Sequence, residues 1–143
     1  MRTHLAGLLV ALVLLPDVSL AQTGPGNASS VNHGGRAFGR VEKLEGVYFT
    51  NFENSVFTPC AGPACEAWAD KIGYNVDCRP ELCAELERRI VALNGSHDTW
   101  ALFAVTFYGR RTTRTYPKTS LHDRGQSFLL EHVGDFRLLE MQN

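Results

Sequence analysis

Gly46-Val47-Tyr48-Phe49-Thr50-Asn51-Phe52, then Glu53-Asn54, then Ser55-Val56-Phe57-Thr58-Pro59-Cys60 is the stretch from which the fold is read. Two short runs of β-branched and aromatic residues flank a two-residue polar break, the pattern of a β-hairpin. Proline cannot donate to a strand ladder, so Pro59-Cys60 ends the second strand. The segment from Cys60 to Cys65 follows as a turn, with Trp68 expected to pack beneath it. Gly73 to Val76 reads as a further short strand.

Beyond that strand, Pro80 to Asn94 predicts the one clear helix. Proline is harmless in a first turn, and Gly95 stops the run. Leu82, Leu86, Ile90 and Leu93 recur at spacings of three and four, which predicts a surface helix laid over a sheet. Trp100 to Tyr108 is nearly all apolar and reads as a central strand buried on both faces. Phe128 to Glu140 gives a second long strand, with Gly134-Asp135 marking a bulge or bend inside it. Hairpin, short strand, helix, long strand, long strand is the order of the OB-fold. The expected fold is therefore β-rich (α+β), a five-stranded small barrel with one helix between its third and fourth strands.

The opening hairpin also resembles that of a group of small exported bacterial proteins and lipoproteins with OB-like barrels. They share a Gly-x-Tyr, Phe-Glu-x-Ser-x-Phe-x-Pro-Cys run and a later tryptophan, matched here by Gly46, Tyr48, Phe52, Glu53, Ser55, Phe57, Pro59, Cys60 and Trp68. The resemblance is close from Phe38 to Asp70 and loose beyond, where Phe103 to Arg110 and Ser127 to Val133 would occupy the last two strands. The chain lacks the Gly-x-Tyr-Gly-His stretch expected before the last strand and differs around Cys78 to Gly95. The resemblance implies the fold and carries no activity, so no catalytic residue comes with it.

At the start of the chain, Arg2, an apolar run from Leu5 to Leu15 and Ser19-Leu20-Ala21 read as a secretory signal with a small-residue cleavage site. The expected address is exported, periplasmic or secreted. The run falls short of the roughly 20 apolar residues that span a bilayer, and no cysteine near the cleavage site offers a lipid anchor. The expected organisation is a signal peptide over 1–21, a flexible tail over 22–36 and an OB-like barrel domain over 37–143. The tail is rich in Gly, Ser and Asn, a composition that cannot repay the entropy of ordering. Formal net charge is −1, so any electrostatic role must be local.

Cys60, Cys65, Cys78 and Cys83 form two Cys-x4-Cys pairs. In an oxidising compartment they read first as two disulfides and second as a four-thiolate zinc site. The spacing leaves three connectivities open, of which the two local pairings are favoured. No metal or other cofactor is expected. His97-Asp98 and His122-Asp123 pair an imidazole with a carboxylate, but neighbours in a turn rarely face each other, so both read as solvated turn residues. Glu53, which could meet Ser55, reads as a turn acid. There is no Gly-x-Ser-x-Gly elbow, His-Glu-x-x-His helix or phosphate loop, and no catalytic constellation is recognised.

The positive lead is the connection between the last two strands. It carries Arg110, Arg111, Arg114, Lys118 and Arg124, with Tyr116 among them, against the single acid Asp123. OB-folds grip extended ligands with this loop, and guanidinium forks suit phosphate, sulfate or carboxylate. The expected function is a ligand-binding or assembly module of the cell envelope. Its candidate partners are an anionic glycan, a lipid or an acidic surface on an exported protein, rather than genomic nucleic acid. The alternative from another class is an inhibitor or immunity-type protein that blocks an envelope-degrading enzyme with a loop.

Overall fold

The computed structural model describes residues 30–51, 53–65, 73–94, 96 and 99–141. A short antiparallel pair, β1 (Val31–His33) and β2 (Arg36–Phe38), precedes β3 (Glu42–Thr50), β4 (Ser55–Pro59), β5 (Tyr74–Cys78), α1 (Pro80–Asn94), β6 (Ala101–Arg111) and β7 (Ser127–Met141). The five longer strands pair in the order β3-β4-β5-β7-β6, and β6 returns to β3 to close a barrel. All neighbours are antiparallel except β5 and β7, which run parallel from Asn75 opposite Ser127 to Cys78 opposite Leu130. The hairpin, third strand, helix and two long strands expected from sequence are all present.

β3 starts at Glu42, earlier than the sequence reading at Gly46, because its first residues pair with β6 rather than β4: Glu42 lies opposite Gly109 and Leu44 opposite Phe107. Gly46 sits where β3 meets β4 at Pro59 and β6 at Val105. A Cβ there would run into the Phe57 ring and the Thr58 carbonyl, so the close approach requires glycine. The Asn51 carboxamide closes the β3–β4 turn by accepting the Glu53 and Asn54 amides at 3.0 and 2.7 Å.

β6 is buried on both faces for most of its length, as its apolar run predicts. β7 wraps it by means of irregularities. Thr106 faces two residues, Gly134 and Asp135, and further register shifts fall next to Glu131 and Leu139. Each extra residue tightens the local twist, which helps a small sheet curl closed. Inside, Tyr48, Phe57, Phe103, Phe107, Phe128, Leu130 and Val133 form the core. Phe57 lies 5.0 Å from both Phe107 and Phe128, between ring centres, and Phe103 stacks on Phe136 at 4.5 Å.

The helix has the predicted limits. Leu86 and Ile90 join the core and Leu82 packs against it, but Leu93 is exposed, so the apolar stripe ends one turn early. Arg89 donates to the Gly134 carbonyl at 3.0 Å, tying the helix to the bulge. Both local disulfides are formed, Cys60–Cys65 and Cys78–Cys83, with Cα separations of 5.2 and 5.5 Å. The second joins the end of β5 to the first turn of α1.

The expected tail needs correction. Its last residues are strands, with Val31 opposite Phe38 and His33 opposite Arg36 around Gly34-Gly35. Both glycines have positive φ, 54° and 76°, which a two-residue hairpin turn of this hand demands. The leader, Trp68 and the His97-Asp98 pair lie outside the described residues.

Candidate functional site

The β6–β7 connection is built around Asp123. Its side chain is buried, although the sequence suggested a solvated turn acid. One carboxylate oxygen accepts the Gly125 amide at 2.7 Å and the Asn75 carboxamide at 2.9 Å. The other accepts the Thr119 amide at 3.0 Å, the Thr119 hydroxyl at 2.9 Å and the Arg36 guanidinium at 2.9 Å. The Gly125 and Thr119 amides, with Arg36 as a smaller cause, hold this carboxyl far below the usual carboxylate range against the opposing effect of burial. None of these bonds goes to His122, which is exposed, so the adjacent pair is not an oriented imidazole–carboxylate couple.

Arg36 brings the β1–β2 hairpin into the same network. Its guanidinium, 17% exposed against 5% for its Asp123 partner, also donates to the Ser127 hydroxyl at 2.5 Å. The Ala37 amide donates to the Tyr116 hydroxyl at 2.7 Å, and the Thr113 amide to the Ala37 carbonyl at 2.9 Å. Hairpin and loop are thus laced together through Ala37. Tyr116 also accepts close cationic neighbours: Arg114 lies 4.9 Å and Arg36 5.6 Å from its ring centre. The Ala37 amide first, and then Arg114, pull the Tyr116 phenol below its ordinary value.

The five cations singled out on this connection fall into two groups, with Tyr116 beside the second. Arg110 and Arg111 end β6 and are tied to the barrel wall. Arg110 pairs with Glu131 at 2.6 Å and donates to the Gly39 carbonyl at 3.0 Å, while Arg111 pairs with Glu42 at 2.7 Å. Arg114, Lys118 and Arg124 lie on the loop, exposed, and none of them makes an ion pair with a described residue. The loop doubles back through the Tyr116 amide, which donates to the Gly125 carbonyl at 2.7 Å, and Gly125 lies beside the Lys118 side chain. Tyr116 therefore lies on one arm of the doubled-back loop, opposite Gly125 and beneath Arg114.

No family model matches this chain, and neither a curated protein nor a solved structure proves similar to it.

Beside the loop lies a polar cleft of ≈ 580 Å³, bounded by the β1–β2 turn, the β3–β4 turn, β5 and residues 119–123. His33, Glu53, Asn75, Asp77 and Ser120 are among its lining. Ser55 at its edge accepts the Tyr48 hydroxyl at 3.0 Å, a bond that opposes the upward push of burial on that phenol. Among the described residues no group of His, Cys, Asp and Glu could hold a metal ion, and all four cysteines are in disulfides. Sequence reasoning missed Arg36, Asn75 and Thr119 as organisers of the site. Only Gly34-Gly35, a two-residue turn between β-compatible residues, and Asp123 two before Gly125 hinted at them.

Proposed function

We propose that the protein is an exported OB-fold module that binds an anionic ligand of the cell envelope through the β6–β7 connection. The observation that carries this reading is a loop anchored from inside and charged outside. Asp123 is consumed by Arg36 and four further hydrogen bonds, so it cannot neutralise Arg114, Lys118 or Arg124. A guanidinium held against an aromatic ring keeps donors free for an oxyanion, and its position is fixed before the ligand arrives.

The OB-fold part rests on the closed pairing order, the parallel contact between the third and fifth barrel strands and the helix between the third and fourth. The resemblance of Gly46 to Cys60 to small exported proteins belongs to the same proposal. Export is supported by the signal-like first 21 residues and by the two disulfides. No helix among the described residues is long and apolar enough to cross a membrane.

Retention on a sulfated glycan column, heparin, tests the reading. The protein is expected to bind at low salt and elute as salt screens the contact, since the Debye length falls from about 10 Å at 0.1 M to about 3 Å at 1 M. Arg114→Glu with Lys118→Glu and Arg124→Glu should abolish retention at nearly unchanged thermal stability. A folded triple variant that elutes with the parent overturns the proposal.

A further inference from the structure

The apex of the same loop carries a large apolar side chain almost wholly in water. Leu121 is 98% exposed, whereas the other exposed large apolar side chains of the described residues stand at 38–45%. Its neighbours are fixed: Thr119 is bonded to the Asp123 carboxylate through amide and hydroxyl, and the Asp123 amide donates to the Ser120 carbonyl at 3.2 Å. The turn is thus held by one buried group, and Leu121 within it lies almost wholly in solvent. The turn displays it.

Three residues before Leu121 stands Lys118 and three after it stands Arg124, both exposed, with the exposed His122 adjacent. We infer that this apex is a membrane-docking tip, in which Leu121 enters the headgroup boundary of an anionic bilayer while Lys118, Arg124 and Arg114 engage the lipid phosphates. The inference rests on the anion-binding reading above and names the anionic lipid surface as its ligand.

Contact area decides between a lipid surface and a protein pocket. A specific protein complex needs about 1,000 Å² or more of buried surface, and one leucine on a narrow turn supplies a small part of that. A bilayer accepts a single apolar side chain without a matching pocket, and each basic residue near an anionic surface adds to the attraction. An exposed leucine with an exposed cation three residues to either side fits that chemistry.

Cosedimentation with vesicles decides the matter, using phosphatidylglycerol mixed with phosphatidylcholine, phosphatidylcholine alone, and soluble heparin in parallel. The protein should bind the anionic vesicles and not the neutral ones. Leu121→Ala should weaken vesicle binding about tenfold, the loss expected for one buried leucine, and leave heparin binding unchanged. Leu121→Trp should restore vesicle binding, because tryptophan favours the membrane interface. Equal vesicle binding by Leu121→Ala and the parent overturns the inference, as does heparin binding without vesicle binding. An equal loss of heparin and vesicle binding in Leu121→Ala also overturns it, by making Leu121 a part of the loop's own structure. Failure of the parent to bind either probe removes the anion-binding reading itself.

Discussion

The barrel wall and the β6–β7 connection are held by opposite means. In the wall, order is spread over many apolar contacts: Phe107 is fully buried and touches Tyr48, Phe57 and Phe128 through its ring. In the connection, the loop and the hairpin beside it converge on one carboxylate, which joins Arg36, Asn75, Thr119 and Gly125. Dispersion and hydrophobic burial are non-directional and accumulate. A buried anion is directional, indivisible and titratable. Damage to the wall should therefore lower the stability of the whole domain, and damage to the connection should act locally.

The largest effect belongs to the wall. Phe107→Ala leaves a cavity among three aromatic rings and should cost about 3–5 kcal/mol. Denaturant unfolding should show one cooperative transition at a lower midpoint. Heparin binding should persist wherever the variant is still folded, because no ring of the core reaches the loop cations. A cost under about 1 kcal/mol would mean the wall can collapse around the gap, contrary to its close packing.

Asp123→Ala attacks the other region. It strands the partly buried Arg36 guanidinium and frees the Thr119 and Gly125 amides, a loss of about 3 kcal/mol by the cost of removing one member of a buried ion pair. The distinguishing readout is hydrogen exchange: amides 119 and 125 should lose protection while those of the β3–β6 ladder keep theirs. Unchanged protection at 119 and 125 would show that the loop has another anchor.

Acid should reproduce that local failure reversibly. The folded carboxyl of Asp123 titrates below its unfolded value, so folding favours the ionised form. Its contribution is complete above the unfolded value near 3.9 and is lost as pH falls below it toward the depressed folded value. The parent should then lose more stability than Asp123→Ala between about pH 4 and the acid limit of the folded state, the two curves converging as pH falls. Parallel curves over that range would sink this account.

What the sequence made legible follows the same division. The wall depends on local alternation, so Tyr48, Phe57, Phe103 and Phe128 announced their strands, and the pair Gly134-Asp135 announced its bulge. The site depends on residues brought together from far apart. Arg36 is 87 positions from Asp123 and Asn75 is 48, and no local pattern reveals that a turn aspartate will be buried by such partners. Arg36 itself sat in a stretch whose Gly- and Asn-rich composition suggested no structure, although Gly34-Gly35 carried the turn. The five loop cations looked equivalent because the register that sets Glu42 opposite Gly109, within ion-pair reach of Arg111, is a tertiary property.

That register supplies the smallest effect, and a control for the comparison. Arg111 and Glu42 form an ion pair of much the same length as Arg36 and Asp123, 2.7 against 2.9 Å, yet the Arg111 side chain is 43% exposed. Tyr74 and Glu42 both favour the charged form of Arg111. At that exposure water competes for each charge and ordering two long side chains offsets much of the attraction, so the pair should contribute about 1 kcal/mol or less. A double-mutant cycle with Arg111→Gln and Glu42→Gln measures this coupling directly, and the same cycle on Arg36→Gln and Asp123→Asn measures the buried pair. Raising salt should erase the first coupling and spare most of the second, because screening acts on exposed charges. If the two couplings come out equal and equally sensitive to salt, burial has not separated the connection from the wall. The account of Asp123 as the loop's principal anchor would then fail with it.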